Sequence, residues 1–343
     1  QASRQPGSAF KPIVYMAGLD NGFTPSTRIL DAPFVIDQGA GQGKWKPANY
    51  TKKFYGPSPM RLGIEKSRNL MTVRLAQTIG MESVAVQAER LGVVDNLPRH
   101  LSMSLGAGET TLMRLTAAYG MIVNGGKKIT PTLIDRIQDR TGATVFRHDK
   151  RPCPDCQQGG WFGQDPPQLP DMRETVIEPG TAYQMVSMLQ GVVQRGTGRR
   201  IAELKLPLGG KTGTTNKSID TWFVGFSPDL AVGVFVGFDE PRSLGRRETG
   251  SSVPAPIFKD FMRQALEGQS VVPFRVPSGI ALMWVNPESG FAALPGERAS
   301  ILEAFKPGTV PPTAEAGRLL PTIGGNVPSE ADTSASRPRR GIY

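Results

Sequence analysis

Apolar residues recur every three or four positions in several stretches of the chain, the spacing that places them on one face of a helix. In Thr110–Val123, for example, Leu115, Tyr119 and Ile122 share a face, and a pair of glycines follows the last turn. Ser58 followed by proline is typical of a helix N-cap. The same pattern predicts further helices over Ser8–Leu19, Ser58–Ile64, Leu70–Ile79, Glu82–Leu91, Thr181–Gln194 and Pro256–Leu266.

The periodicity changes in the last third of the chain. Leu206–Thr215, Thr221–Phe226 and Leu230–Phe238 are short and rich in β-branched and aromatic residues, as strands are. Ser227–Asp229 is a turn sequence between the last two, so an antiparallel meander is the simplest arrangement. Leu230–Phe238 is the most apolar stretch, and it has about half the length that a membrane helix needs.

The remaining segments differ from these in composition. Residues 24–57 are rich in Pro, Gly, Asp and Asn and are predicted to be extended loop with short strands. Residues 151–171 form an insertion, and 269–306 are predicted to be a small β appendage. From 307 to 343 the chain is poor in aromatic residues and is predicted to be a disordered tail. Residues 1–268 are then one large domain of the α+β class.

Charge and side-chain usage exclude several classes of function. The formal net charge is +10, but no basic patch interleaved with aromatic residues accompanies it, so we expect no nucleic-acid partner. His100 and His148 are too few and too scattered for a metal centre, and we expect neither metal nor cofactor. Cys153 and Cys156 form a local disulfide, an exposed thiol pair or half of a zinc site. No signal peptide follows Gln1.

Three short motifs occur once each and in a fixed order. Ser8 stands one helical turn before Lys11 (S-x-x-K), Ser67 stands two residues before Asn69 (S-x-N), and Lys211 opens a K-T-G-T string. Each motif alone is weak, because about one S-x-x-K is expected by chance in a chain of this length. Their occurrence together and in this order indicates a serine acyl-transfer site.

Such a site needs a base within hydrogen-bond reach of the serine hydroxyl. No histidine lies near any motif, so a Ser-His-Asp triad is unsupported and Lys11 is the candidate base. An ordinary lysine is almost fully protonated at pH 7, and neutralising it costs roughly 4.6 kcal/mol. Burial and a second cation, for which Lys211 is the candidate, both lower the pKa of a lysine. The alternative is an ordinary serine and lysine on a surface helix.

The other motif residues are candidates for proton relay and substrate binding. Ser67 offers a hydroxyl that can relay a proton, and Asn69 offers an amide that can hold a substrate peptide group; the alternative is that both cap a helix. The strand Lys211–Thr215 can pair with an extended peptide, with its lysine and hydroxyls contacting a carboxylate. Candidate substrate-binding residues are Thr212, Gly213, which would let the substrate approach closely, Thr214 and Thr215.

The tetrahedral intermediate of acyl transfer also needs donors for its oxyanion. The backbone N–H groups of Ser8 and Thr214 are the candidate oxyanion hole, in which one donor typically contributes roughly 3–4 kcal/mol. The alternative for the third motif, a strand with a polar edge, does not explain the paired glycines Gly209 and Gly210 that precede it.

Longer blocks surround the motifs between Arg4 and Leu266. In order they are RQPGSAFKP, SRNLMTVRLAQ, SLGAGETTLMRLTAAYGMIVNGG, GVVQRGTGRR, GGKTGTTN, DTWFVGFSPDL and PAPIFKDFM. Together with the motifs they resemble the transpeptidase domain of class A (bifunctional) penicillin-binding proteins. The resemblance implies the penicillin-binding and serine β-lactamase-like fold, an antiparallel sheet flanked by helices plus an all-helical subdomain. It also implies that residues 1–268 are this domain without its N-terminal part.

The resemblance further implies a penicillin-sensitive D,D-transpeptidase of cell wall synthesis. Ser8 would attack the carbonyl between two terminal D-alanines of a peptidoglycan stem peptide, and an amine of a neighbouring stem would resolve the acyl-enzyme. β-Lactams would acylate Ser8 and stay. A membrane anchor, a glycosyltransferase domain and the first strands of the sheet would precede Gln1. The segment itself would be soluble and would lie at the periplasmic face of the inner membrane. Other cell-wall synthesis proteins would be its partners.

Three alternatives stay open on the sequence. A D,D-carboxypeptidase differs only in using water as the acceptor, and the motifs do not separate the two activities. A β-lactamase needs a carboxylate that positions the deacylating water, and no glutamate has a local sequence that marks it for this task. A non-catalytic β-lactam-sensing or peptidoglycan-binding module would bind without turnover, but a sensor usually carries transmembrane helices and none is apparent here.

Overall fold

The computed structural model describes residues 2–37, 43–153, 156, 163, 165, 169–294, 296, 297 and 299–325. The helices within these ranges are α1 (Lys11–Asp20), α2 (Met60–Glu65), α3 (Asn69–Ile79), α4 (Met81–Arg90), α5 (Leu112–Val123), α6 (Pro179–Gln194), α7 (Pro254–Ala265) and α8 (Ala314–Leu319). The strands are β1 (Arg28–Asp31), β2 (Ile36–Asp37), β3 (Lys44–Trp45), β4 (Gly56–Pro59), β5 (Arg136–Gln138), β6 (Thr144–Arg147), β7 (Gly209–Thr214), β8 (Thr221–Phe226), β9 (Ala231–Val236), β10 (Ala281–Val285) and β11 (Ile301–Phe305).

The central sheet is the antiparallel meander predicted from the sequence, with strand order β7-β8-β9. Its middle strand is buried on both faces, so its side chains alternate between two cores. Trp222 and Val224 join the core formed with α1, α5 and α6. Phe223 points to the other face and packs on Phe258 of α7, with ring centroids 4.7 Å apart. The sheet is therefore flanked by helices, and the predicted α+β class is confirmed.

Helix α1 runs through the centre of the helical part. Every residue from Lys11 to Leu19 is buried, which is typical of a helix surrounded by other elements on all sides. It contacts α2, α3, α4 and α6. Because this helix begins at the lysine that ends the S-x-x-K motif, the motif lysine lies in the core rather than on a surface helix.

The predicted N-cap at Ser58 is wrong. Ser58 and Pro59 belong to β4, where they pair with Ile29 and Arg28 of β1, and α2 begins only at Met60. The hydroxyl of Ser58 donates to the Gly56 carbonyl instead of capping a helix. Pairing with β1 holds these residues in the extended conformation that a serine-proline sequence also permits.

The described residues after α7 pack on the rest of the domain. Strands β10 and β11 form a hairpin, and β11 packs on α6. The sequence predicted disorder from 307 onward, but α8 forms at 314–319 and Ile323 exchanges backbone hydrogen bonds with β1. The correction has a physical reason, since Ile323 satisfies N–H and C=O groups at the open edge of β1. Residues 326–343 of the predicted tail lie outside the described residues, and the other domain boundaries stay predictions.

Cysteine and histidine offer no metal site. A disulfide joins Cys153 and Cys156, the first of the alternatives that the sequence left open. His100 and His148 are exposed. Within the described ranges, no three His, Cys, Asp or Glu side chains come together as metal ligands. Over the same ranges, no helix has the length and apolarity needed to span a bilayer.

Candidate active site

Ser8 and Lys11 lie one turn apart at the start of α1. A 3₁₀ turn over Gly7–Phe10 runs directly into the helix, and Pro12 occupies its first turn, where a missing N–H is tolerated. Lys11 is completely buried, whereas Ser8 is partly exposed. The predicted position of Ser8 near a helix N-terminus is confirmed. Within one helical turn, the segment thus carries a hydroxyl that solvent can reach, on Ser8, and an amine shielded from water, on Lys11.

Glycines hold the serine segment against the end of β7. Gly7 has a φ of +52°, and a Cβ on it would lie 2.7 Å from the carbonyl oxygen of Thr214. A Cβ on Gly213 would lie 2.4 Å from the carbonyl oxygen of Pro6. The close approach of a substrate at Gly213 stays a prediction, and the contact with Pro6 is a second reason for a glycine here. The glycine is needed because two main chains touch here.

Ser67 adopts a left-handed backbone conformation with a φ of +56°, which is uncommon for a residue with a side chain. It lies in the short connection between α2 and α3. Its N–H donates to the Ile64 carbonyl at 3.1 Å, and the Arg68 N–H donates to the Gly63 carbonyl at 2.9 Å. These bonds fix the strained conformation, as is common where strain serves a site. The turn brings both the carbonyl and the hydroxyl of Ser67 to the lysines.

Both motif lysines converge on Ser67. Lys11 Nζ donates to the Ser67 carbonyl oxygen and to Asn69 Oδ1, each at 2.7 Å. Lys211 Nζ donates to Ser67 Oγ at 2.8 Å and to the carbonyl oxygen of Thr212 at 3.0 Å. Neither Ser67 nor Asn69 caps α3, so the capping alternative is wrong for both. The structure thus brings together side chains from all three motifs.

Burial controls the charge of the two lysines. Burial, reinforced by the positive charge of Lys211, holds the pKa of Lys11 well below its ordinary value, and the carboxylate of Asp31 opposes this shift without cancelling it. Burial lowers the pKa of Lys211 to about 7. In the described part of the chain, every hydrogen-bond partner of the two lysines is uncharged. Both lysines therefore give up a proton more readily than an ordinary lysine, as the predicted role of Lys11 as a base requires.

The hydroxyl of Ser8 is not yet engaged by the base. Among the described residues Ser8 Oγ makes no hydrogen bond, and Lys11 Nζ is bonded to Ser67 and Asn69 instead. Catalytic hydrogen bonds often tighten only when substrate is bound. Proton transfer from Ser8 to Lys11 stays a prediction, as does the oxyanion hole formed by the N–H groups of Ser8 and Thr214.

The K-T-G strand presents an open edge. Within the described residues β7 pairs only with β8. Thr212 Oγ1 is hydrogen-bonded to Thr197 Oγ1 at 2.8 Å, and Thr214 Oγ1 accepts from the Gly250 N–H at 2.9 Å. Thr215 lies beyond the strand, where its hydroxyl accepts from a backbone N–H of the β7–β8 loop at 2.9 Å. The structure therefore places Thr212 and Thr214 on the strand and uses Thr215 to close the loop.

Sequence reasoning missed four residues that contact the site or its supports: Thr197, Gly250, Asn49 and Asp31. Thr197 lies in the GVVQRGTGRR block, and the glycines on both sides of it were the available signal. Asn49 and Asp31 lie in the irregular segment 24–57, where no periodicity or motif distinguishes them. Only tertiary contacts reveal what these two residues do.

A buried lysine with a lowered pKa lies one turn from an accessible serine, beside a second hydroxyl and an open strand edge. This is the composition of a serine acyl-transfer site that uses lysine as its base. The family model described as penicillin binding protein transpeptidase domain matches residues 1–263. The chain therefore belongs to the penicillin-binding protein transpeptidase-domain family.

Relatives and solved structures agree with this family. Penicillin-binding protein 1A of Rickettsia bellii is 46% identical over 309 residues, which cover 89% of this chain and 39% of that protein. Penicillin-binding protein 1A of Pseudomonas aeruginosa is 38% identical, with 91% of this chain and 42% of that protein covered. The crystal structure of penicillin-binding protein 1A from Haemophilus influenzae matches with a TM-score of 0.78 at 31% identity, over 91% of this chain and 49% of that chain.

These relatives are of the 1A type, the type within class A that the quoted sequence blocks resemble most closely. PonA1 of Mycobacterium tuberculosis, solved in complex with penicillin V, shares the fold with a TM-score of 0.66 at 22% identity, over 86% of this chain and 76% of that chain. The chain spans about two-fifths of the length of the two curated relatives. The predicted penicillin-binding fold is confirmed.

Proposed function

We propose that this chain is the catalytic part of a penicillin-sensitive peptidoglycan D,D-transpeptidase. The observation that carries the proposal is the meeting of two buried lysines at Ser67, beside the helix start that holds Ser8. Membership of the transpeptidase-domain family supports it. The substrate is a peptidoglycan stem peptide that ends in D-Ala-D-Ala, and β-lactams compete for the same serine.

In the acylation step, Ser8 Oγ attacks the carbonyl carbon between the two terminal D-alanines. Lys11, a neutral amine, takes the hydroxyl proton, and the carbonyl oxygen becomes an oxyanion beside the N–H groups of Ser8 and Thr214. The C–N bond then breaks. The proton passes from Lys11 through the hydroxyl of Ser67 to the leaving nitrogen. D-Alanine therefore leaves with a free amino group, and an ester remains on Ser8.

In the second step, the amine of a neighbouring stem attacks the ester carbonyl. The amine loses a proton to Lys11 as the new amide forms, and the same proton returns to Ser8 Oγ when the ester bond breaks. A β-lactam follows the first step only, because its ring opens without releasing a fragment that would leave the site. The acyl group then stays on Ser8.

Substrate orientation is assigned to the open edge of β7. An extended peptide pairs with the strand backbone, as in other complexes in which a peptide adds a strand to a sheet. Lys211, Thr212 and Thr214 contact the substrate carboxylate, and Asn69 holds a peptide group. Thr215 acts at the end of this edge through the loop that it closes.

The chain matches about two-fifths of the length of its relatives. We extend the proposal to a longer protein of the same kind, of which this chain is one part. That protein also polymerises glycan strands as a peptidoglycan glycosyltransferase. It is anchored in the bacterial inner membrane, holds this segment at the periplasmic face and works with other cell-wall synthesis proteins.

Labelling with a fluorescent penicillin tests the proposal. The wild-type chain is expected to carry the label covalently, and Ser8→Ala is expected to lose it completely. Ser83→Ala, which removes a hydroxyl on α4 that donates to Ile79, serves as the matched control and should label normally. Persistence of the label in Ser8→Ala would refute the assignment of the nucleophile.

A labelled pentapeptide separates the transpeptidase from its alternatives. With an amine acceptor present, a transpeptidase forms the cross-linked product, whereas a carboxypeptidase releases only the free acid with or without acceptor. Rapid turnover of penicillin would identify a β-lactamase, and a single acylation without any peptide product would identify a sensor.

A further inference from the structure

Asn49 lies in the irregular segment between β3 and β4, outside all three motifs, yet it is 5% exposed and uses its whole amide group. Its Oδ1 accepts from the backbone N–H groups of Asn69 at 2.9 Å and Leu70 at 3.3 Å. Its Nδ2 donates to Asp31 Oδ1 at 2.7 Å and to the carbonyl oxygen of Lys53 at 2.9 Å. A buried amide with all of these partners is held in one orientation.

This amide provides the cap that α3 does not provide for itself. The first N–H groups of a helix have no partner within the helix, and the residue before α3, Arg68, makes no side-chain capping bond. Asn49 supplies the acceptor from another part of the chain. The adjacent Ala48 carbonyl accepts from Asn69 Nδ2 at 2.7 Å. Residues 48 and 49 therefore fix both the backbone and the side-chain amide of Asn69.

Fixing Asn69 also fixes Lys11. A neutral amine has two N–H bonds and one lone pair. Asn69 Oδ1 and the carbonyl oxygen of Ser67 accept the two N–H bonds of Lys11, each at 2.7 Å. The lone pair is left for a third direction, in which the nearest recorded polar atom, Ser67 Oγ, lies at the longer distance of 3.4 Å. A base must present this lone pair to the hydroxyl of Ser8, and small errors in such an alignment are costly in rate. The orientation of Asn69 therefore determines whether Lys11 can act.

We propose that Asn49 is a positioning residue for acylation, which acts on Lys11 through Asn69. The proposal rests on the proposed function, because it assumes that Lys11 is the base. Asn49 does not touch the reacting atoms. It holds the first turn of α3 so that Asn69 presents its oxygen, and not its NH₂ group, to the lysine.

Asp31 anchors Asn49 in turn. Asp31 is completely buried, and its second oxygen lies 3.6 Å from Arg68 Nε, while the Arg68 guanidinium stacks over Tyr55 at 4.2 Å from the ring centroid. This arrangement explains why an asparagine occupies position 49. The site needs a donor for the carboxylate and an acceptor for the helix at once, and neither serine nor aspartate supplies both at this reach.

A double-mutant cycle on the acylation rate tests the proposal. We expect Asn49→Ala to slow acylation by saturating penicillin about tenfold or more in the wild-type background, because the base loses its alignment. In the Asn69→Ala background the same change is expected to alter the rate by less than about twofold, because its route of action is already gone. Thermal unfolding measured in parallel records the loss of the helix cap in both backgrounds.

Thr111→Ala is the matched control. Thr111 caps α5 by accepting from the Arg114 N–H at 3.3 Å, so its loss destabilises a helix that carries no motif residue. This variant should lower the melting temperature and leave acylation near the wild-type rate. If Asn49→Ala does not fold, Asn49→Ser is taken through the same cycle. The serine hydroxyl fills part of the space that the amide group leaves.

Two results would overturn the proposal. One is an equal slowing by the change at position 49 in both backgrounds, which would mean that it acts independently of Asn69. The other is a rate within about twofold of wild type despite a lowered melting temperature, which would make the residue purely structural. Absence of labelling in the wild type would instead count against the proposed function.

Discussion

Two polar clusters include residues only two positions apart in the sequence, Glu65 and Ser67, and the pKa values of their buried cations are shifted in opposite directions. The first cluster, which we call the lysine site, comprises Lys11, Ser67, Asn69 and Lys211, and the second, the arginine cluster, comprises Arg61, Glu65, Arg195 and Glu303. In the lysine site burial lowers the pKa of both lysines. In the arginine cluster burial also acts to lower the pKa of Arg61, but the carboxylates of Glu303 and Glu65 outweigh it and raise that pKa.

The difference lies in the partners that each cation meets. Arg61 is bonded to Glu303 and Glu65, and it also donates to the carbonyl of Ser187 at 3.1 Å and to its hydroxyl at 2.7 Å. Within the described residues, the two lysines donate hydrogen bonds only to carbonyl, amide and hydroxyl oxygens. A cation buried with carboxylates stays charged, whereas one buried with neutral dipoles tends to give up its proton. The first arrangement serves stability and the second serves reactivity.

Removing the base should produce the largest effect. Lys11→Ala is expected to slow acylation by penicillin about a hundredfold to ten-thousandfold, the usual range for a general base, while reversible binding persists. The rate is measured from time courses at saturating labelled penicillin. Lys66→Ala, which removes an exposed lysine beside Ser67, should react at the wild-type rate. A near-normal rate in Lys11→Ala would show that this lysine is not the base.

Removing a carboxylate from the arginine cluster should reduce stability without touching the reaction. Glu303→Gln leaves a positive charge in a buried site that is no longer balanced, and we expect the free energy of unfolding to fall by about 3 kcal/mol. Urea unfolding measures this loss, with the exposed Glu315→Gln on α8 as the control. Acylation by the folded fraction should remain normal. A parallel fall in acylation rate would mean that the two clusters are coupled through the turn between Glu65 and Ser67.

The last effect, which is small within any one pH unit, concerns the pH dependence of stability. Between pH 7, near the folded-state pKa of Lys211, and its ordinary value of 10.5, the unfolded chain binds a proton that the folded chain does not. The free energy of unfolding therefore rises with pH over this window, by up to about 1.4 kcal/mol per pH unit for each such lysine. Lys211→Met should remove one lysine's share of this slope, and Lys66→Met should not. If the free energy of unfolding had the same pH slope in Lys211→Met and in the wild type, the lowered pKa of Lys211 would be contradicted.

The sequence predicted the parts of the fold that depend on local pattern. The meander β7-β8-β9 follows from alternating apolar residues and a turn sequence, and the helices from periodicity with glycine at their ends. The meeting of the motifs could be predicted because the three occur together and in a fixed order, although each one alone is weak. The boundaries of α2 could not, because pairing with β1 overrides the local preference of Ser58 and Pro59.

The supports of the site depend on contacts between distant segments. Asn49 caps a helix that begins 20 residues later, and Glu303 reaches Arg61 across most of the chain. No periodicity or spacing marks such residues, because their partners are chosen by the folded core and not by their neighbours in sequence. The same holds for the contact between Gly213 and the Pro6 carbonyl, which joins segments far apart in the sequence.

The contact between Gly7 and Thr214 bears on how this enzyme can evolve. Its atoms belong to the main chain, and a single added methyl group at Gly7 would lie 2.7 Å from the Thr214 carbonyl oxygen. Any side chain at Gly7 would therefore push the Ser8 segment and the end of β7 apart. On the proposed function, we expect changes that alter β-lactam binding at side chains beside β7, for instance Thr197, and not at this backbone junction.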